Sequence, residues 1–265
     1  MRRIRIKLEY DGTGYAGWQL QKNGELTIQG ELERALFRLC GENVRVHGAG
    51  RTDAGVHSLA QVAHFDLPGN IPIEKLPNAM NAHLPGDIMV YCADEVDENF
   101  DSRRHARGKI YRYRIRNTAR QSVFDRRYTW LIKKTLDIEA MQNAAVHLVG
   151  EHDFSSFQGA RCSAKHAVRY IYKLDVLQRG EEVVIETFAT AYLKHMVRNI
   201  VGTLVQVGNG EMKPEDMQAI LQTKDRSSAG PTAPSRGLIQ VKIFYKDDPP
   251  PLDLMRLIPE SHRMR

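Results

Sequence analysis

Only three cysteines, Cys40, Cys92 and Cys162, occur in the 265 residues, and no two of them form a CxxC pair. A disulfide framework or a cysteine zinc site needs more than this, so the fold must rest on its core, and a reducing compartment is expected. The ten histidines never fall in HExxH or HxxxH spacing, which leaves no helical metal pair. Cys162 and His166 are the one Cys and His at ligand-like spacing, too little for a metal site, and His166 is the only local base that could serve Cys162 as a nucleophile. No lysine follows the glycines of GAGR as in a P-loop, and no complete GxGxxG is present, so no nucleotide cofactor is expected. Long apolar runs are missing too. None reaches the length of a bilayer span, and the opening MRRIRIKLEY alternates charged and apolar residues where a signal peptide would be continuously apolar. A cytoplasmic protein without membrane association is the expectation.

Positive charge is what the chain has in excess. The formal charge is +6, and from Arg103 to Arg127 ten Lys and Arg stand against one acid, Asp125. Such a run repels itself unless it is solvated or faces phosphates, and counterion release on binding nucleic acid supplies the compensating free energy. A solvated basic strand face is the alternative. With 42% hydrophobic residues the chain can also bury a sizeable core, as one large domain or two smaller ones.

Periodicity gives the elements. Ile4, Ile6, Leu8 and Tyr10 alternate with charged residues as in a strand with one buried face. Thr27 can cap a helix burying Leu32, Ala35, Leu36 and Leu39, with Gly41 in the left-handed position after it. Val44–Val46 and Gln61–Asp66 read as strands, Pro77 starts a short helix with Ala79 and Met80 inward, and Ile88–Cys92 reads as a strand. The pattern restarts at KIYRYRIR, Lys109–Arg116, with Tyr111, Tyr113 and Ile115 on one face and arginines on the other. Asp137 caps a helix stopped at Gly150, strands follow near 169–177 and 183–190, helices at about 194–207 and 214–222, and a last strand spans 238–245. An α+β fold is expected, made of two ferredoxin-like or RNA-recognition-module-like halves with mainly antiparallel sheets flanked by helices and a catalytic cleft between them. The halves would be 1–104 and 105–248, followed by a proline-containing basic tail, 249–265.

Chemistry concentrates in GAGRTDAGVH, Gly48–His57. Gly50 and Gly55 permit positive φ or close approach to a ligand, and Arg51, two residues from Asp53, can hold that carboxylate ionised. Asp53 is then a candidate nucleophile; it could equally cap a turn with Gly55 behind it. Arg198 lies in a helix apolar around most of its circumference, where a guanidinium is costly unless gripped by a carboxylate or led to solvent at the helix edge. Asp53 is the partner to test first. Tyr111 can stack on an extruded base or pack in the core with Tyr113.

GAGRTDAGVHSLAQVAHFD, KIYRYRI, HDFSSF, HMVRNIVG and GPTAPSRGL, with EYDGTGYAGWQ before them, together resemble the TruA-type tRNA pseudouridine synthases, in the family's order and over nearly the whole chain. The resemblance implies an isomerase that flips a uridine out of the anticodon stem-loop of tRNA, at about positions 38 to 40, and returns pseudouridine. It implies tRNA as partner, a homodimer and no cofactor. By position, Asp53 matches the catalytic aspartate, Tyr111 the tyrosine stacked on the target uracil, Arg198 the arginine paired with the aspartate, and Arg51 a motif arginine that holds the substrate arm open. His57, Arg103, Arg104, Arg107, Lys109, Lys194 and His195 are further candidate RNA contacts, and the arginine-rich strand would grip phosphates. Tyr192 stands where phenylalanine is common and Lys194 where the family often has His or Tyr. A non-catalytic RNA-binding protein would need only the basic strands and would leave Arg51, Asp53 and Arg198 unexplained. A nucleoside hydrolase would want a second catalytic carboxylate that no local motif supplies.

Overall fold

The computed structural model describes residues 1–21, 24–246 and 248 and divides into two compact units. The first comprises Met1–Ala106 with Ile239–Ile243, the second Arg107–Leu238 with the chain from Phe244 onward.

In the first unit β1 (Arg2–Tyr10), α1 (Ile28–Cys40), β2 (His47–Gly48), β3 (His57–Leu67), α2 (Leu76–Asn81) and β4 (Ile88–Glu95) follow one another. Strand β1 is antiparallel to both β3 and β4, and β2 lies on the other side of β3, giving the order β4-β1-β3-β2 of a ferredoxin-like sheet. The alternation in β1 turns Ile4, Ile6 and Leu8, each 0% exposed, onto Leu32 and Leu36 of α1 and Met80 of α2. Each such buried side chain is worth about 1.5–3 kcal/mol relative to exposure. On the other face Arg3 meets Asp66 at 2.8 Å and Arg5 meets Asp94 at 3.0 Å, both directly opposite in register. Helix α1 is bounded as its sequence requires: Thr27 Oγ1 accepts from Gly30 N at 3.2 Å, and Gly41 ends it at φ 73°.

Two expectations shift here. Val44 and Val46 are buried but lie outside any strand, since only His47 and Gly48 reach the edge of β3. The last strand, β10 (Leu238–Phe244), was expected wholly in the second half, yet Ile239–Ile243 belong to the first unit. There Ile239 and Gln240 pair in parallel with His57 and Ser58 of β3.

The second unit contains β5 (Gly108–Asn117), β6 (Trp130–Ile132), α3 (Ile138–Val146), β7 (Gly150–Asp153), β8 (Val168–Arg179), β9 (Glu182–Ala189), α4 (Met196–Gly208) and α5 (Asp216–Thr223). Its antiparallel strands run β5-β9-β8-β7, with β6 parallel to β5. Asp137 Oδ1 accepts from Ala140 N at 2.9 Å and caps α3. That helix ends at Val146, while Gly150, expected to stop it, opens β7 at φ 109°. The short strands β6 and β7 are additions to the expected set. Helix α4 is buried along most of its length and begins at Met196, because His195 before it is left-handed at φ 61°. The 249–265 tail lies outside the described residues.

Candidate functional site

Backbone contacts fix the loop that carries Asp53. Val56 N donates to Asp53 O at 3.1 Å across Ala54 and Gly55, and Gly55 has φ 74°, the conformation a type II turn demands at its third position. Asp53 therefore does open a turn, and the turn is held from outside. Trp18 N donates to Thr52 O at 3.0 Å and Gly55 N to Tyr15 O at 3.2 Å. The segment 10–18 lies so close that a Cβ on Gly12 would run into the Val56 carbonyl, and one on Gly17 would come within 2.6 Å of Thr52 O. Gly17, at φ 99°, also occupies backbone space that few other residues adopt.

Side chains from the sheet complete the support. The register of β1 against β3 shifts between Leu8 and Tyr10, a bulge that brings Tyr10 and Gln61 beneath the loop. Tyr10 Oη and Thr52 Oγ1 are 2.9 Å apart, and Gln61 Nε2 donates to Gly50 O at 2.9 Å and to Tyr10 Oη at 3.3 Å. Burial pushes the Tyr10 phenol up to about 12, so it remains neutral at working pH. On this frame Thr52 is buried and Asp53 half-buried.

Arg51 is exposed, and one expectation about this loop is corrected. His57 is 3% exposed, with Nδ1 lying 3.0 Å from Asp11 Oδ1 and 3.1 Å from Gly12 N. It braces the 10–18 segment from within and has no surface to offer a phosphate.

In the second unit Tyr111, 8% exposed on β5, meets Tyr192 edge to face, with centroids 5.0 Å apart and planes at 81°. Tyr192 is itself anchored: its hydroxyl lies 3.2 Å from Thr187 Oγ1 and donates to Lys109 O at 3.3 Å, and burial raises its phenol well above the ordinary value. Arg198 on α4 is half-buried. Its Nε donates to Ala233 O at 2.7 Å, while Ala233 N donates back to Arg198 O at 3.1 Å. Tyr113 Oη takes the next carbonyl, Pro234 O, at 2.7 Å. The HMVRNIVG and GPTAPSRGL motifs are thus two sides of one packed structure.

Asn199, 0% exposed beside Arg198, explains that packing and was not singled out from the sequence. Its Nδ2 donates to Phe157 O at 2.8 Å, and its Oδ1 accepts from Thr232 Oγ1 at 2.6 Å and Arg226 Nη2 at 3.1 Å. A polar amide in an otherwise apolar helix was the available signal, since buried amides require partners. Gly202 permits the approach, because a Cβ there would run into the Pro231 carbonyl.

The basic candidates divide by environment. Arg112, Arg114 and Arg116 were expected to face phosphates, but Glu186 and Glu182 on β9 and Glu181 just before it take them at 2.7, 2.5 and 2.7 Å. Lys194 is exposed, with Nζ donating to Ala160 O at 3.1 Å, and the His195 ring packs where a Cβ on Gly159 would come within 2.8 Å of it. Both clasp the 159–160 segment. Arg103 and Arg104 in the first unit and Arg107 in the second are exposed, while Lys109 is half-buried. Among the described residues no group of three or more His, Cys, Asp or Glu is placed to hold a metal ion, and no helix is long and apolar enough to cross a membrane.

Comparison with known proteins follows the same residues. Residues 7–103 and 144–246 match a family model described as tRNA pseudouridine synthase. The chain is 49% identical over 251 residues to tRNA pseudouridine synthase A of Myxococcus xanthus, covering 94% of each chain. It is 44% identical over 245 residues to the protein of the same name from Geotalea uraniireducens, covering 92% of this chain and 100% of that one. With its namesake from Paramagnetospirillum magneticum the identity is 45% over 246 residues, 92% of this chain and 96% of that one. Among solved structures, an archaeal box H/ACA sRNP Nop10-Cbf5 complex gives a TM-score of 0.37 at 13% identity, over 86% of this chain and 60% of that chain.

Proposed function

The chain belongs to the tRNA pseudouridine synthase family and isomerises uridine to pseudouridine, and from that premise we propose that Asp53 is its nucleophile, acting on uridines of the anticodon stem-loop at about positions 38 to 40 flipped from the stack. The observation that carries this reading is the half-buried carboxylate of Asp53 at the head of a turn whose backbone is fixed on both sides. A loop set in advance meets the ribose without reordering when it acts.

The reaction breaks the bond from uracil N1 to ribose C1′ and forms one from C5 to C1′. The proton on C5 leaves to solvent and N1 ends protonated, so atoms balance with no added cofactor. Asp53 either attacks C1′ or assists departure of the base to a glycal-like intermediate, and both routes need it ionised. Tyr111, its ring braced by Tyr192, stacks on the flipped uracil. Arg198 serves to keep the carboxylate charged, the role its position in HMVRNIVG implies. Arg51, projecting into solvent, holds the substrate arm open, and Arg103, Arg104, Arg107, Lys109, Lys194 and His195 supply phosphate contacts that position the arm without reading its sequence. The protein works as a cytoplasmic homodimer.

A tRNA transcript with uridine in the anticodon stem-loop tests the reading. Pseudouridine forms there without metal, nucleotide or reductant, and free uridine is left unchanged. Binding of tRNA without product makes the chain an RNA-binding protein; conversion of free uridine removes the anticodon stem-loop from the account.

A further inference from the structure

The loop joining β5 to β6 presents Val123 at 65% and Phe124 at 91% exposure. A phenyl ring this open loses the free energy of burial unless something covers it. The loop is nevertheless well braced. Gln121 Nε2 donates to Asp125 Oδ1 at 3.0 Å and to Thr129 Oγ1 at 3.1 Å, Tyr128 N donates to Asp125 O at 2.8 Å, and Phe124 N donates to Ser122 Oγ at 3.2 Å. Asp125, the one acid in the basic run, is turned inward by these bonds and has Arg116 Nη1 4.0 Å from its Oδ2. What faces outward is Phe124 with exposed Arg120, Arg126 and Arg127 around it. On the flank of the loop an open hollow is lined by Arg116, Arg120, Gln121 and Ser122, with Glu181 in the same lining holding Arg116 at 2.7 Å.

We propose that this loop is a second tRNA contact, separate from the Asp53 loop: Phe124 stacks on an unpaired base of the substrate, and Arg120 and Arg126 take the adjoining phosphates. Charge decides the occupant. A second copy seated here about a twofold axis would bring arginines against their own counterparts, whereas RNA supplies the opposite charge and a π face for the ring. Because the loop is already ordered, stacking costs little conformational freedom. The inference rests on tRNA being the substrate, but it reads binding and not catalysis.

Three variants of the full chain, Phe124→Ala, Phe124→Leu and Phe124→Tyr, test it by direct titration with unmodified tRNA, alongside oligomeric state and melting temperature. Base stacking predicts a Kd raised about 5- to 150-fold for Phe124→Ala, little rescue by leucine and near-complete rescue by tyrosine. Turnover at saturating tRNA stays at the wild-type value. Unchanged affinity in Phe124→Ala, or leucine serving as well as phenylalanine, overturns the stacking contact. A change of oligomeric state in Phe124→Ala assigns the ring to a protein interface instead. If the wild type binds tRNA with this pattern yet makes no pseudouridine, the catalytic reading fails and the contact stands.

Discussion

The first unit positions its functional group chiefly with main chain, and the second does so chiefly with side chains. The Asp53 loop is set by hydrogen bonds from Trp18 N to Thr52 O and from Gly55 N to Tyr15 O and by glycines that let two segments touch, with Tyr10 and Gln61 bracing it from the sheet. Tyr111 and Arg198 are set by Tyr192, Ala233 and the amide network of Asn199. A frame made of backbone has no substitute for a missing glycine. A frame made of side chains tolerates exchange wherever shape and one hydrogen bond survive.

The largest expected effect breaks the backbone frame. Gly17→Ala places a Cβ within 2.6 Å of Thr52 O at a φ of 99°, and should destabilise by about 2–4 kcal/mol. Activity should fall more than about tenfold with it. Urea unfolding together with product formation checks this, and wild-type behaviour in both would mean the 10–18 segment does not set the loop. The second unit is probed more gently. Tyr192→Ala removes the ring against Tyr111 and should lower kcat/KM by about 2- to 12-fold, the worth of one edge-to-face pair. Tyr192→Phe keeps the ring, loses only the hydroxyl contacts to Thr187 and Lys109, and should cost about 1 kcal/mol of stability with turnover near wild type. Equal loss in both variants would place the hydroxyl, and not the ring, in the mechanism.

The smallest effect is a pH dependence confined to the first unit. Burial first, and then the charge of His47 and Arg3, hold the His64 imidazole below its ordinary value, against the opposite pull of Asp101 and Asp66. The unfolded chain therefore takes up this proton at a higher pH than the folded one. Stability from this group is complete above about pH 6.5 and is lost as pH falls below that toward the depressed folded value, by at most about 1.4 kcal/mol per pH unit. Urea midpoints at pH 7.5 and 5.5 should draw closer together in His64→Asn, and an unchanged gap would remove His64 as the source.

Sequence patterns reached the elements whose causes are local. The alternation of β1, the Thr27 and Asp137 caps and Gly41 each act within a few residues, and the structure uses all four. Pairing between strands is different. The glutamates that neutralise Arg112 and Arg114 lie 74 and 68 residues away, so β5 read alone is a bare arginine face. Strand β6 has three residues, too few for a period to register. In the candidate site the glycines of DGTGYAGW were visible, but that Gly12 and Gly17 sit against Val56 and Thr52 depends on two segments meeting about forty residues apart. His57 is buried for a related reason, since its ring is held by Asp11 and Gly12 from a segment some forty residues earlier.

Asp53→Asn gives the most direct test of the central claim, because it removes the charge while keeping the shape of the turn. Tritium release from tRNA carrying label at uracil C5 would be followed with enzyme in excess, with tRNA affinity measured on the same preparation. Asp53 as nucleophile predicts no release above background and an affinity within about twofold of wild type. Release at the wild-type rate with that variant would contradict it.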